Sequence, residues 1–215
     1  MDFEKIANKI ILAFDGWEPP NNARKSWRKK LSDGSYAYRY TKPSDSPENQ
    51  DVPVFGGKLY QSLKIRESEI YADKIEHLVI YNDDGEKVID VDGEEDSVSL
   101  VGITDKIAGT WVTHNHPNST SFSWADIFNM YRFKAKGMRI ISKKFDYQIL
   151  FNQEHSVEFV EDVYLRINSQ TRNNFWKKIS NKEITVQEAN ETHYHVVWTL
   201  AAKELGFKYE RTEHK

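Results

Sequence analysis

Apolar positions along this chain change period from helical to alternating and back. Residues 2 to 14 place Phe3, Ile6, Ala7, Ile10, Ile11 and Phe14 on one helical stripe. Asp15-Gly16 and Pro19-Pro20 close it. Residues 17 to 57 are less regular. Arg24 to Leu31 predicts a short helix with Trp27 and Leu31 on one face, and Tyr36 to Tyr40 alternates like a strand. Pro43 to Gln50 reads as an exposed loop. Residues 58 to 75 are helical in part, with Leu59, Leu63 and Ile70 apolar.

From there the pattern favours strands. Glu76 to Tyr81 is rich in β-branched and aromatic residues, Asn82-Asp83-Asp84-Gly85 is a hairpin-style turn, and Lys87 to Val91 is the return strand. Asp92 to Asp96 forms an acidic turn before a further short strand, Ser97 to Val101. Ile107 to Val112 predicts the next strand, and Ser123 opens a helix to about Lys136, capped by Gly137. Met138 to Ser142 and Tyr147 to Phe151 are strands around a polar turn. Val157 to about Lys178 and Val186 to about Leu205 are amphipathic helices, the second ended by Gly206.

Strands concentrated in 76 to 151, with helices on both sides, predict an α+β fold: a mixed central sheet flanked by helices in a three-layer arrangement. Three parts are expected. Residues 1–57 form an N-terminal helix and arm, 58–152 the core, and 153–215 a C-terminal helical extension packing on that core.

Composition narrows the chemistry. The chain has 215 residues, enough to bury a core without staples. Cysteine is absent, which excludes disulfides and thiolate-bound zinc. Any zinc site must therefore draw on His, Asp, Glu and water. The net charge of -3 argues against a nucleic-acid partner, although Arg24 to Lys30 is locally basic and lies near Trp17, Trp27 and Tyr36 to Tyr40. The start, Met1-Asp2-Phe3-Glu4-Lys5, lacks a basic region followed by an apolar run, so no signal peptide is expected. No segment approaches the apolar length of a transmembrane helix, so no membrane association is expected.

One stretch carries chemistry. His114-Asn115-His116-Pro117 is followed after five residues by Ser123-Trp124-Ala125-Asp126. Residues two apart on an extended chain point to the same side, so both imidazoles can reach one ion. Asp126 in the first turn of the next helix can add a carboxylate, giving three protein ligands with a fourth position left for water. His-His-Asp suits zinc (Zn2+). Ser123 and Asp126 also have a simpler explanation as a helix capping box. That explanation leaves the paired histidines unaccounted for.

The order His114-x-His116-Pro117, then Ser123-x-x-Asp126, resembles the motif of the JAMM (MPN+/JAB) metalloproteases. The spacing between Pro117 and Ser123 is slightly shorter than in RadC-type proteins and eukaryotic deubiquitinases. In that respect it is similar to a prokaryotic and phage branch of the superfamily. The motif covers 13 residues, and the element order of 76 to 151 is compatible with the JAMM/cytidine-deaminase-like fold the resemblance implies. The resemblance also implies an upstream glutamate as catalytic base. Glu76 is the first choice, with Glu67 and Glu69 as rivals. Ser123 would steady the oxyanion, while His114, His116 and Asp126 would hold the metal. The implied activity is zinc-dependent peptidase or isopeptidase hydrolysis in the cytoplasm of a prokaryotic or phage-infected cell. The implied substrate is a protein or peptide, a ubiquitin-like protein among the candidates. The alternatives are an assembly or binding module of a phage or mobile-element protein, and a RadC-like nucleic-acid-associated protein.

Other candidates have plainer readings. His193-Tyr194-His195 sits in a helix, where positions two apart face different ways, so a surface or packing role is expected. His77 follows Glu76 and should point to the opposite face. Asp83-Asp84 and Asp92 to Asp96 lack the spacing of a calcium loop. Gly56-Gly57 reads as a flexible loop. Val196, Val197, Leu200, Ala201 and Leu205, with Tyr194 and Trp198, read as core packing.

Overall fold

A computed structural model describes residues 57–213 and, before them, the backbone of three short strands. These are β1 (Trp17–Glu18), β2 (Trp27–Lys30) and β3 (Tyr36–Arg39), paired antiparallel in the order β1-β2-β3. Tyr36–Arg39 is a strand as expected. Trp27–Lys30, expected within a helix, is instead a strand, because its backbone is taken up by pairing with Tyr36–Arg39. The expected helix at 2 to 14 and loop at 43 to 50 lie outside the described residues, as does Gly56.

The fold is α+β, a mixed six-stranded sheet with helices on both faces. Its elements are α1 (Gly57–Ile70), β4 (His77–Tyr81), β5 (Lys87–Asp92), β6 (Trp111–Asn115), α2 (Trp124–Arg132), β7 (Gly137–Ile141), β8 (Phe145–Leu150), α3 (Val157–Ser180), α4 (Val186–Leu205) and β9 (Lys208–Glu213). The strand order is β5-β4-β6-β7-β8-β9. Only β6 and β7 run parallel, joined by the crossover through α2; the other neighbours are antiparallel.

Alternation along the strands assigns the two faces. Leu78, Ile80, Val112 and Ile140 belong to the main core beneath α2, α3 and α4. Val79 and Tyr81 pack with Leu59 and Leu63 of α1 on the other face. Leu59, Leu63, Glu67 and Ile70 are the buried residues of α1, which is the spacing of a single helical stripe. Glu67 sits in that stripe because Arg139 of β7 meets it, Nε to Oε1 at 2.7 Å and Nη2 to Oε2 at 3.1 Å. The Thr113 hydroxyl donates to the same carboxylate at 3.0 Å, and Asp146 and Lys64 extend the ion cluster. A buried charge is tolerated only when paired in this way.

Four boundaries differ from the sequence pattern. Ser97 to Val101 is not a strand; it loops back so that the Ser97 carbonyl accepts the Glu94 amide. The motif strand begins at Trp111 rather than Ile107, because a single 3-10 turn at Thr104–Lys106 carries the chain through Ile107. Helix α2 stops at Arg132 rather than near Lys136. Lys134 turns left-handed (φ 61°), the Ala135 amide bonds back to Met130, and Lys136 already pairs with Thr110. Gly137 therefore starts β7 instead of capping the helix. Finally, β9 follows Gly206, whose left-handed φ of 68° ends α4 and turns the chain onto the edge of β8.

One cluster of buried side chains runs from β4 through α2, α3 and α4 to Phe207. It crosses position 152, so the core and the C-terminal helices share one interior. Among the described residues no helix is long and apolar enough to cross a membrane.

Candidate metal centre

Three elements meet at the end of β6. Position 114 lies on the main-core face beside its partners Leu78 and Ile140, and His116 follows two residues later. The His116 amide donates to the Ile141 carbonyl at 2.8 Å, which prolongs the parallel ladder past the last strand residue. The two rings converge: Nε2 of His114 lies 2.8 Å from Nε2 of His116.

Asp126 comes from the first turn of α2. Its Oδ1 is 3.7 Å from His114 Nε2 and its Oδ2 is 3.6 Å from His116 Nε2. The capping box is real as well: the Ser123 amide donates to Asp126 Oδ2 at 2.6 Å, and the Asp126 amide donates to Ser123 Oγ at 3.2 Å. The two readings of Ser123 and Asp126 are therefore compatible. The cap fixes the carboxylate with Oδ1 toward His114 and Oδ2 toward His116.

Glu76 stands just before β4, with its Oε1 3.8 Å from His116 Nε2. Donor atoms of Glu76, His114 and His116 all lie within 4.8 Å of one another, and all three residues are buried. The rivals are engaged elsewhere. Glu67 is bound to Arg139 and Thr113 on the other face of the sheet, and Glu69 pairs with Arg66 at the surface.

The backbone around Glu76 is tightly held. Its amide donates to the Glu94 carbonyl and its carbonyl accepts from Gly93, both at 2.7 Å. A Cβ at Gly93 would stand 3.1 Å from the Glu76 carbonyl and collide with the Ser97 carbonyl, so only glycine allows this approach.

Protonation follows from burial. Desolvation pushes His114 down to about 3, against the opposing pull of Asp126, and lowers His116 for the same reason. Both are therefore neutral imidazoles, the form that binds metal. The Thr120 carbonyl can only accept, and it lies 3.0 Å from His116 Nδ1. His116 thus carries its proton on Nδ1 and presents an Nε2 lone pair inward, the orientation an outer partner gives a metal-binding histidine. Among the described residues, His114 Nδ1 is buried with no hydrogen-bond partner. Burial, with Asp126 and then Asp96 adding to it, pushes Glu76 up to about 7.

These donors fit a small divalent ion. Bonds of about 2.0–2.1 Å in a tetrahedral set would put donor atoms about 3.3 Å apart. The observed separations of 2.8, 3.6 and 3.7 Å bracket that value.

A family model matches residues 140–212, and it describes a domain of unknown function, DUF8220. That is about a third of the chain. No curated protein and no solved structure matches. The DUF8220 segment begins within β7 and ends within β9, after all five residues Glu76, His114, His116, Ser123 and Asp126.

The DUF8220 segment nonetheless holds the loop between the histidines and α2. Trp198 Nε1 donates to the Phe122 carbonyl at 2.7 Å, and its ring stacks near-parallel with Trp124 and Tyr164. Tyr209 of β9 joins Ser121 Oγ and His195 Nδ1, each at 2.9 Å. His193 instead faces Asn168 of α3, so the second His-x-His pair shares no point and serves packing. His77 turns away from Glu76 toward Asp92, Nδ1 to Oδ1 at 2.8 Å.

Sequence reasoning singled out neither Asn115, Thr120, Ser121 nor Tyr209. Each acts through hydrogen bonds that leave no spacing signature.

Proposed function

We propose that this chain is a zinc-dependent metallopeptidase or isopeptidase of JAMM type, acting on a protein or peptide in the cytoplasm. One observation carries the reading. Glu76, His114 and His116 are buried with donor atoms within 4.8 Å of one another, and Asp126 adds a half-buried carboxylate whose oxygens lie 3.7 and 3.6 Å from the two imidazoles.

His114 and His116 would hold the ion through Nε2 and Asp126 through Oδ1. Bound zinc would lower the pKa of a coordinated water toward about 7 and polarise the scissile carbonyl. Glu76 takes a proton onto its carboxylate from the attacking water and delivers it to the leaving amine nitrogen. Its affinity for that proton is already raised by burial, which suits a group that must both accept and release it. Ser123 Oγ accepts from the Asp126 amide, so its own hydrogen is free to donate to the substrate oxygen as charge develops there.

Elemental analysis of purified protein tests the reading, together with assays on peptides and on isopeptide-linked ubiquitin-like conjugates. The parent should carry stoichiometric zinc and cleave. His114→Ala and Asp126→Ala should lose the metal, and Glu76→Gln should keep it and lose hydrolysis. Full zinc retention in both ligand variants sinks the site. Zinc binding without cleavage of any amide would favour an assembly module instead.

A further inference from the structure

We propose that Asn115, the residue between the two histidines, is the positioning residue for Glu76. The inference deepens the metal-site reading and rests on it. Asn115 is 0% exposed. Its side chain does not pack against apolar neighbours alone; it crosses to the segment that carries Glu76. Nδ2 donates to the Ile75 carbonyl at 2.9 Å, and Oδ1 accepts from the His77 amide at 2.7 Å. These are the two backbone groups that flank Glu76.

The ladder between β4 and β6 ends at Leu78 and His114. The Asn115 carboxamide stands in for the rung that would follow. From the other side, Glu94 and Gly93 hold the amide and carbonyl of Glu76 itself. The segment 75–77 is thus bonded on both edges, and one of the two clamps is a side chain on the strand that presents the histidines. The Glu76 carboxylate approaches His116 no closer than 3.8 Å, beyond hydrogen-bond reach, so its place is set through the backbone. The task needs one donor and one acceptor at fixed separation. A carboxamide supplies both, serine cannot span both groups, and leucine supplies neither.

The test uses Co2+ as the probe, with its dissociation constant and visible spectrum measured for four full-length chains. These are the parent, Asn115→Leu, Glu76→Gln and the double variant. Loss of a group that supports a metal site costs about 10-fold in affinity at the low end. Glu76→Gln should still bind Co2+, but about 10-fold more weakly because the carboxylate that supports the site is gone. Asn115→Leu should weaken binding by no more than that and alter the spectrum in the parent background. In the Glu76→Gln background it should change neither. Where Asn115→Leu does not fold, Asn115→Ser, which leaves room for a water between Ile75 and His77, carries the same comparison. Equal losses in both backgrounds would make Asn115 a prop for the sheet and overturn the inference alone. An unchanged affinity and spectrum in the parent background would overturn it too. A parent that binds no Co2+ overturns the metal-site reading and this inference together.

Discussion

Asp126 does two jobs with two oxygens. Oδ2 closes the capping box and lies near His116, while Oδ1 faces His114. Ser123 is the other half of that box, so its removal should be felt even without metal. Ser123→Ala should cost about 1 kcal/mol of stability in the metal-free chain, read by urea denaturation. Glu76 makes a prediction of opposite character. Its carboxyl is pushed from the ordinary 4.5 up to about 7. Between those values the folded chain keeps a proton that the unfolded chain has released, so stability falls as pH rises through that window. Glu76→Gln removes the penalty of ionising a buried group. Its melting temperature in the metal-free form should exceed the parent's at pH 8 and converge on it below about pH 4.5. At this scale much was legible in the residues. Two histidines two apart need a reason, and Ser-x-x-Asp announces a cap. Asn115 was not legible, because a lone polar residue in a strand gives no sign that its amide replaces a rung of the sheet.

At the scale of elements, the site loop is trapped between α2 and the hairpin of α3 and α4. Trp198 is wholly buried, stacks on Trp124 at the first position of α2, and anchors the Phe122 carbonyl. Trp198→Ala should cost about 3–5 kcal/mol and weaken zinc binding, measured by thermal melting and metal titration. Tyr209→Phe removes only a hydroxyl and its bonds to Ser121 and His195, so the loss should be about 1–2 kcal/mol with the fold intact. Strand β4 was legible from its run of β-branched and aromatic residues, and helices α3 and α4 from their apolar spacing. The β9 strand was hidden for a physical reason. Lys208-Tyr209-Glu210-Arg211-Thr212-Glu213 lies on a sheet edge, where charged residues are tolerated and only Tyr209 needs to face the core. The expected strand at Ser97 to Val101 failed in the opposite sense. Its composition suits a strand, but its backbone bonds go to the turn that braces Glu76.

For the whole molecule, acid is the weak direction. Burial lowers His114 and His195 to about 3 and His193 to about 4, and lowers His116 as well. The unfolded chain takes up protons as pH falls through about 6.5, whereas the folded chain refuses them until much lower. Stability conferred by keeping these rings neutral is thus lost as pH falls below about 6.5. Glu76 pulls the other way, but one carboxylate opposes four imidazoles. The metal-free chain should melt at lower temperature at pH 4.5 than at pH 7, and zinc at 100 times its dissociation constant should add about 2.7 kcal/mol at the higher pH.

The clamps on the site loop also set an order in time. Trp198 lies 76 residues beyond its partner Phe122, and Tyr209 lies 88 beyond Ser121. During synthesis, the histidines and their aspartate leave the ribosome well before the side chains that steady the loop between them. A growing chain therefore carries every group of the candidate metal centre while the enclosure around them is still unbuilt. If the site binds metal as proposed, its full affinity would arrive late, once α4 and β9 have docked.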